Sequence, residues 1–185
     1  MPSFIHYRPM ITIRQMVLRS LAASAKKSPS EPTLNCATAL IKAHEKGSLS
    51  SVLELDVTTL QGIGPKHQEQ LHKLHLKTVA DLANYKFFHL AKAICVLAET
   101  EQDGGRLPET SMNINKGVDK AYENRSLREI AQAPVSALQG ISQEAGETLT
   151  HVGVRTVQDL ASFKFCRWAE AMQTAAKYEQ EFTKK

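Results

Sequence analysis

The stretch LQGIGPKHQEQLHKLHLKTVADLA, Leu60–Ala83, decides the reading of this chain. Gly62 and Gly64 flank one apolar residue, Ile63, so the backbone can turn tightly through conformations that most residues avoid. Pro65 suits the first position of a following helix. Lys66–Leu74 has the spacing of one short helix, and Thr78 with Asp81 three residues on is a capping-box variant that opens another. The signal is a tight turn clamped between short helices.

The same block returns 78 positions later. Residues 35–102 align with residues 113–180 without a gap, and about 25 of roughly 68 positions are identical. The chain is therefore read as all-α, with two tandem helical repeats, 35–102 and 113–180, behind a basic extension, 1–30. Lys27–Thr33, with Pro29 and Pro32, and residues 103–112, with Gly104, Gly105 and Pro108, read as linkers. Thr156 and Asp159 repeat the pairing of Thr78 and Asp81, so both acids are expected to be structural.

The net charge of +4 suggests nucleic acid until it is divided along the chain. Arg8, Arg14, Arg19, Lys26 and Lys27 stand in residues 1–30, where there is no acid; the remainder, which holds all 19 Asp and Glu, is close to neutral. The repeats thus lack the excess of Lys and Arg expected of a DNA-binding domain. Within the extension, Ile11, Ile13, Met16, Val17, Leu18 and Leu21, interrupted by Arg14 and Arg19, have the pattern of a short amphipathic helix with a basic edge. That fits an organelle presequence, mitochondrial or plastid, better than a secretory signal, whose apolar core would not hold two arginines. A basic surface-binding arm is the alternative.

Three cysteines, Cys36, Cys95 and Cys166, are odd in number, lack CxxC spacing and do not match between repeats, which argues against a disulfide framework. No apolar run approaches the roughly 20 residues that cross a bilayer.

In the first repeat, Asn35 is placed to cap a helix running to about Lys46, Ser48 to start a short one, and Lys86 to about Glu101 to form the longest. Phe87, Leu90, Ala91, Ile94 and Leu97 form its expected core stripe, and Phe88 and Cys95 fall beside it, at partly buried or contact positions. Phe165, Trp168, Ala169, Met172 and Ala175 match that stripe in the second repeat. There a helix is expected from Asn113 to about Asn124, and Ser126 with Glu129 forms a full capping box. The second turn reads Leu138-Gln139-Gly140-Ile141-Ser142-Gln143-Glu144, with Ser142 in place of the second glycine and Glu144 in place of Lys66.

His67, His72 and His75 are close on one helix, and the last two lie on adjacent turns as metal ligands sometimes do. Their counterparts are Ala145, Thr150 and Gly153, so solvated or phosphate-facing histidines are the reading and no metal is expected. GIGPK is too short for a Walker loop. No nucleophile with an associated base is visible, so no catalytic residue, no cofactor and no enzymatic activity are expected.

Leu60–Ala83 resembles the helix-hairpin-helix domains of DNA repair and recombination proteins, and also related repeats in some transcription factor tails that bind protein. In the DNA-binding members, hairpin amides and the start of the second helix hold a backbone phosphate. Carried over, the resemblance implies Gly62, Ile63 and Gly64 as backbone donors and Lys66 as the charge, an arrangement that favours an anion and reads no bases. In the second repeat Ser142 is expected to tolerate the turn less well and Glu144 to repel phosphate.

Two functions remain. One is a non-catalytic protein-interaction or scaffold protein, an accessory subunit of an organellar assembly, with protein partners. The other is sequence-independent DNA or RNA binding through the first hairpin. The charge division and the altered second hairpin favour the first.

Overall fold

The computed structural model describes residues 34–103 and 107–180. The expectations for the basic extension and for the glycines of the central linker lie outside them. Among the described residues there are helices and turns and no strand. The helices are α1 (Leu49–Leu53), α2 (Pro65–Lys73), α3 (Val79–Ala83), α4 (Lys86–Ala98), α5 (Leu127–Gln132), α6 (Gln143–His151), α7 (Val157–Ala161) and α8 (Lys164–Ala176). The first four begin 78 residues before the last four. Single 3-10 turns at Val57–Thr59 and Val135–Ala137 keep the same offset.

Local sequence sets most helix starts. Ser48, Thr78, Ser126 and Thr156 each accept a backbone N–H from the third residue on, and Asp81, Glu129 and Asp159 reach back to complete capping boxes. Such a cap satisfies amides that otherwise have no partner and stabilises by about 1 kcal/mol. Asp81 and Asp159 have the structural role their spacing implies.

Two expected helices are absent. Residues 36–46 form turns, and 113–124 hold only the 3-10 turns Asn115–Gly117 and Lys120–Tyr122. The cause is pairing with a distant segment. Ile41 N donates to Thr59 O (2.9 Å) and Gln61 N to Ala39 O (2.9 Å), so the backbone that would make helical bonds is bridged to the approach of the hairpin. The second half repeats this, with Asp119 N to Ala137 O (2.8 Å) and Gln139 N to Gly117 O (3.0 Å). Isolated antiparallel bridges Leu40 to Leu60 and Val118 to Leu138 mark the same places.

The described residues from Cys36 onward form one compact unit, and its halves are crossed. The long helix α4 packs on α5 and α7 of the second half, and α8 packs on α1 and α3 of the first; α2 and α6 meet each other. This crossing moves the expected stripe. Phe88, Ala91, Ile94 and Ala98 are the buried residues of α4, whereas Leu97 is 49% exposed. Phe88, expected beside the stripe, is fully buried. Phe87 and Leu90 instead face the other half, where they cover Gly140 and Gly117. On α8 the buried set is Phe165, Cys166, Ala169 and Met172. Between the long helices, Lys92 Nζ lies 2.5 Å from Glu170, whose other carboxylate oxygen is 3.5 Å from His89 Nδ1. Lys92 and Glu170 are themselves matching positions, 78 residues apart.

Candidate functional site

The first hairpin is built on a turn in which Ile63 N donates to Leu60 O (3.2 Å) and Gly62 takes φ +103°. Leu60 and Ile63 are buried and anchor it to the core. Positive φ at the third position of such a turn is the conformation that glycine accepts at little cost. Gly64 does not share that need. It is an extended N-cap at φ −89°, ψ 174°, followed by Pro65 at the first helical position. The expectation that both glycines serve the turn is corrected to Gly62 alone.

The second hairpin has the same backbone, with Gly140 at φ +97° and Ile141 N donating to Leu138 O (3.1 Å). Ser142 is at home there, contrary to its expected intolerance: at φ −67° its Oγ accepts Ala145 N at 3.1 Å. The two helix starts therefore differ in chemistry. Ser142 closes the second, with exposed Glu144 in its first turn. Gly64 leaves the first without a side-chain cap, and Lys66 is exposed beside it.

Of the three amides implied as phosphate donors, that of Ile63 is taken up by the turn. Those of Gly62 and Gly64 meet no acceptor among the described residues. A further cation, absent from the sequence reading, stands next to them. A Cβ at Gly62 would lie 3.4 Å from Lys164 Nζ and 3.6 Å from Phe165 Cζ. Lys164 rests over the rings of Phe165 (4.7 Å) and Trp168 (5.4 Å), a cation–π arrangement that holds the ammonium in place. The mirror contact covers Gly140 with Phe87, 3.4 Å from its would-be Cβ, and Lys86 lies over that ring at 4.7 Å. Recurrence of Lys-Phe at the start of both long helices, Lys86-Phe87 and Lys164-Phe165, was the available signal. Only the crossing of the halves says which hairpin each lysine serves.

The histidines do not converge. His72 Nε2 is 3.0 Å from Asp56 Oδ2. Asp56 also accepts from Thr58 N (2.9 Å), Thr58 Oγ1 (2.8 Å) and Gln68 Nε2 (3.0 Å). Partial burial raises the pKa of Asp56, but these hydrogen bonds and His72 outweigh it and lower it overall. His75 follows the helix at φ 61°, where its counterpart is Gly153. Among the described residues no group of three or more His, Cys, Asp or Glu is arranged to hold a metal ion. Cys166 is buried, which pushes its thiol pKa up. No described helix is long and apolar enough to cross a membrane.

The hairpin's capacity is thus electrostatic: the amides of Gly62 in the turn and Gly64 at the helix start, with two lysines beside them, suit an anion. No family model, curated protein or solved structure matches the chain.

Proposed function

We propose that this chain is a non-catalytic interaction or scaffold protein, an accessory subunit of an organellar assembly, whose helix-hairpin-helix-like halves offer near-neutral helical surfaces to protein partners. The observation that supports this reading is that the two hairpins share a backbone and differ in chemistry. A tandem pair working on a phosphate backbone would gain by presenting open amides and cations twice; here Ser142 and Glu144 close one of the two. A single hairpin with two lysines neutralises few phosphates, and affinity for nucleic acid scales with the number neutralised.

The second reading, sequence-independent binding of DNA or RNA backbone at the first hairpin, is favoured by Lys164 standing beside Gly62, with Lys66 at the open helix start. Fluorescence anisotropy separates the two. A chain beginning at Ser30, free of the basic extension, should bind labelled single-stranded or duplex DNA no tighter than millimolar at physiological salt, whereas ordinary non-specific binders reach about 10⁻⁴–10⁻⁶ M. The tagged full chain should meanwhile co-purify a protein partner in fixed stoichiometry. Micromolar DNA binding that Gly64→Ser with Lys66→Glu abolishes, and that Lys164→Glu weakens, would reverse the ranking.

A further inference from the structure

Two seams close the crossed halves, and they are built from matching residues with unequal support. Where α8 ends against α1, Glu179 accepts Leu49 N (2.6 Å), Ser50 N (3.0 Å) and Ser50 Oγ (2.9 Å). Where α4 ends against α5, Glu101 accepts Leu127 N (2.9 Å) and Arg128 N (3.0 Å). Glu101 and Glu179 are matching positions, and so are Ser50 and Arg128. Each carboxylate at the end of one half caps the first helix of the other.

The α4–α5 seam carries more. The Arg128 guanidinium donates to the carbonyls of Ala98 (3.3 Å) and Glu101 and to Asp103 (3.1 Å). A cation there adds a donor to carbonyls at the helix end, of which that of Ala98 also accepts Glu101 N (3.4 Å), and complements the helix dipole. Helix α5 also has the full Ser126 and Glu129 capping box, with Arg125 on Glu129 at 3.2 Å, whereas α1 has the Ser48 side chain as its cap and, in place of an acid, Ser51 Oγ donating to Ser48 O (2.8 Å). Burial points the same way: α1 buries Val52, and α5 buries Ile130 and Ala131.

We infer that the α1–α8 seam is a built-in opening edge, at which α1 and the last turn of α8 separate in local excursions while the α4–α5 seam stays closed until the whole unit unfolds. Local opening starts where buried apolar contacts and capped backbone bonds are fewest. The consequence is a molecule with one end at which apolar surface, that of Leu49, Val52 and Leu53 and of the α8 face beneath, appears transiently. This inference is independent of the identity of any partner.

Hydrogen exchange on the full chain tests it at matched amides. Val52 N donates to Ser48 O (3.1 Å) and Leu55 N to Val52 O (3.2 Å) in the first half; Ile130 N donates to Ser126 O (3.0 Å) and Ala133 N to Ile130 O (3.1 Å) in the second. After correction for intrinsic rates, Val52 and Leu55 should exchange about tenfold faster than Ile130 and Ala133, the factor expected for one missing capping-box partner and the missing guanidinium bonds. Exchanging the seam residues supplies independent arms: Arg128→Ser should speed Ile130 and Ala133, and Ser50→Arg should slow Val52 and Leu55. Equal protection at the two pairs, faster exchange at Ile130, or an unchanged difference in Arg128→Ser would overturn the inference.

Discussion

Replacing Gly62 and Gly64 one at a time by alanine separates two roles that look alike in the sequence. At Gly62 an alanine must hold φ near +103° and place its Cβ 3.4 Å from Lys164 Nζ and 3.6 Å from Phe165 Cζ. A positive φ costs an L-residue about 1–2 kcal/mol, and loss of freedom in the unfolded chain returns about 0.4–1 kcal/mol of it. The contacts are ordinary in distance and Lys164 is long, so packing adds little. Gly62→Ala should therefore destabilise by about 1 kcal/mol. At Gly64 the backbone is extended and a Cβ would meet nothing within 4 Å. The unfolded-state gain there is offset by alanine's poor capping, about 0.5–1 kcal/mol, so Gly64→Ala should be close to neutral. Gly64→Ser should stabilise by a few tenths of a kcal/mol, because Ser142 shows the bond that a serine makes at that position. Urea unfolding followed by circular dichroism measures all three, with unchanged slopes required for the comparison. A loss at Gly64→Ala as large as that at Gly62→Ala would refute the assignment of the turn to Gly62.

Other outcomes follow from the core, the caps and the extension. Phe88→Ala should cost about 3–5 kcal/mol, while Leu97→Ala on the exposed face of the same helix should stay within about 0.5 kcal/mol; thermal unfolding of the two variants checks this. Asp81 and Asp159 have folded pKa values below their ordinary ones. For Asp81 burial raises the pKa and the Thr78 and Lys77 amides overcome it, and for Asp159 the Thr156 amide leads. Their contribution is present above the unfolded pKa of about 3.9 and is lost as pH falls through the folded values. Asp81→Asn with Asp159→Asn should thus flatten the fall in stability below about pH 4, measured by urea midpoints across pH. A chain beginning at Ser30 should keep the melting temperature of the full chain to within a degree or two, since the capped helices and their core begin well after it; a large drop would make the extension part of the fold.

Much of this architecture is written locally. Ser48, Thr78, Ser126 and Thr156 announce their helices because an N-cap, joined by an acid in the last three, acts within four residues, and the turn at Gly62 is likewise a four-residue event. What could not be read depends on residues far apart in sequence. The segment around Leu40 has helical composition and is held out of helix by Thr59 and Gln61. Phe88 and Leu97 are equally apolar, and only the presence of α5 and α7 decides which is buried. Lys66 could be named as the hairpin's charge from its position. Lys164 could not, because it arrives from the other half, about a hundred residues later.

The pairing of Lys92 with Glu170 limits how such a molecule can be assembled from a single repeat. Because the two positions are equivalents and touch, a symmetric dimer of identical halves would set lysine against lysine or glutamate against glutamate at that point, a like-charge juxtaposition that opposes association. Joining both halves in one polypeptide removes the demand that the position suit itself. The two copies are then free to carry opposite signs there, and Lys92 meets Glu170 across the crossed halves.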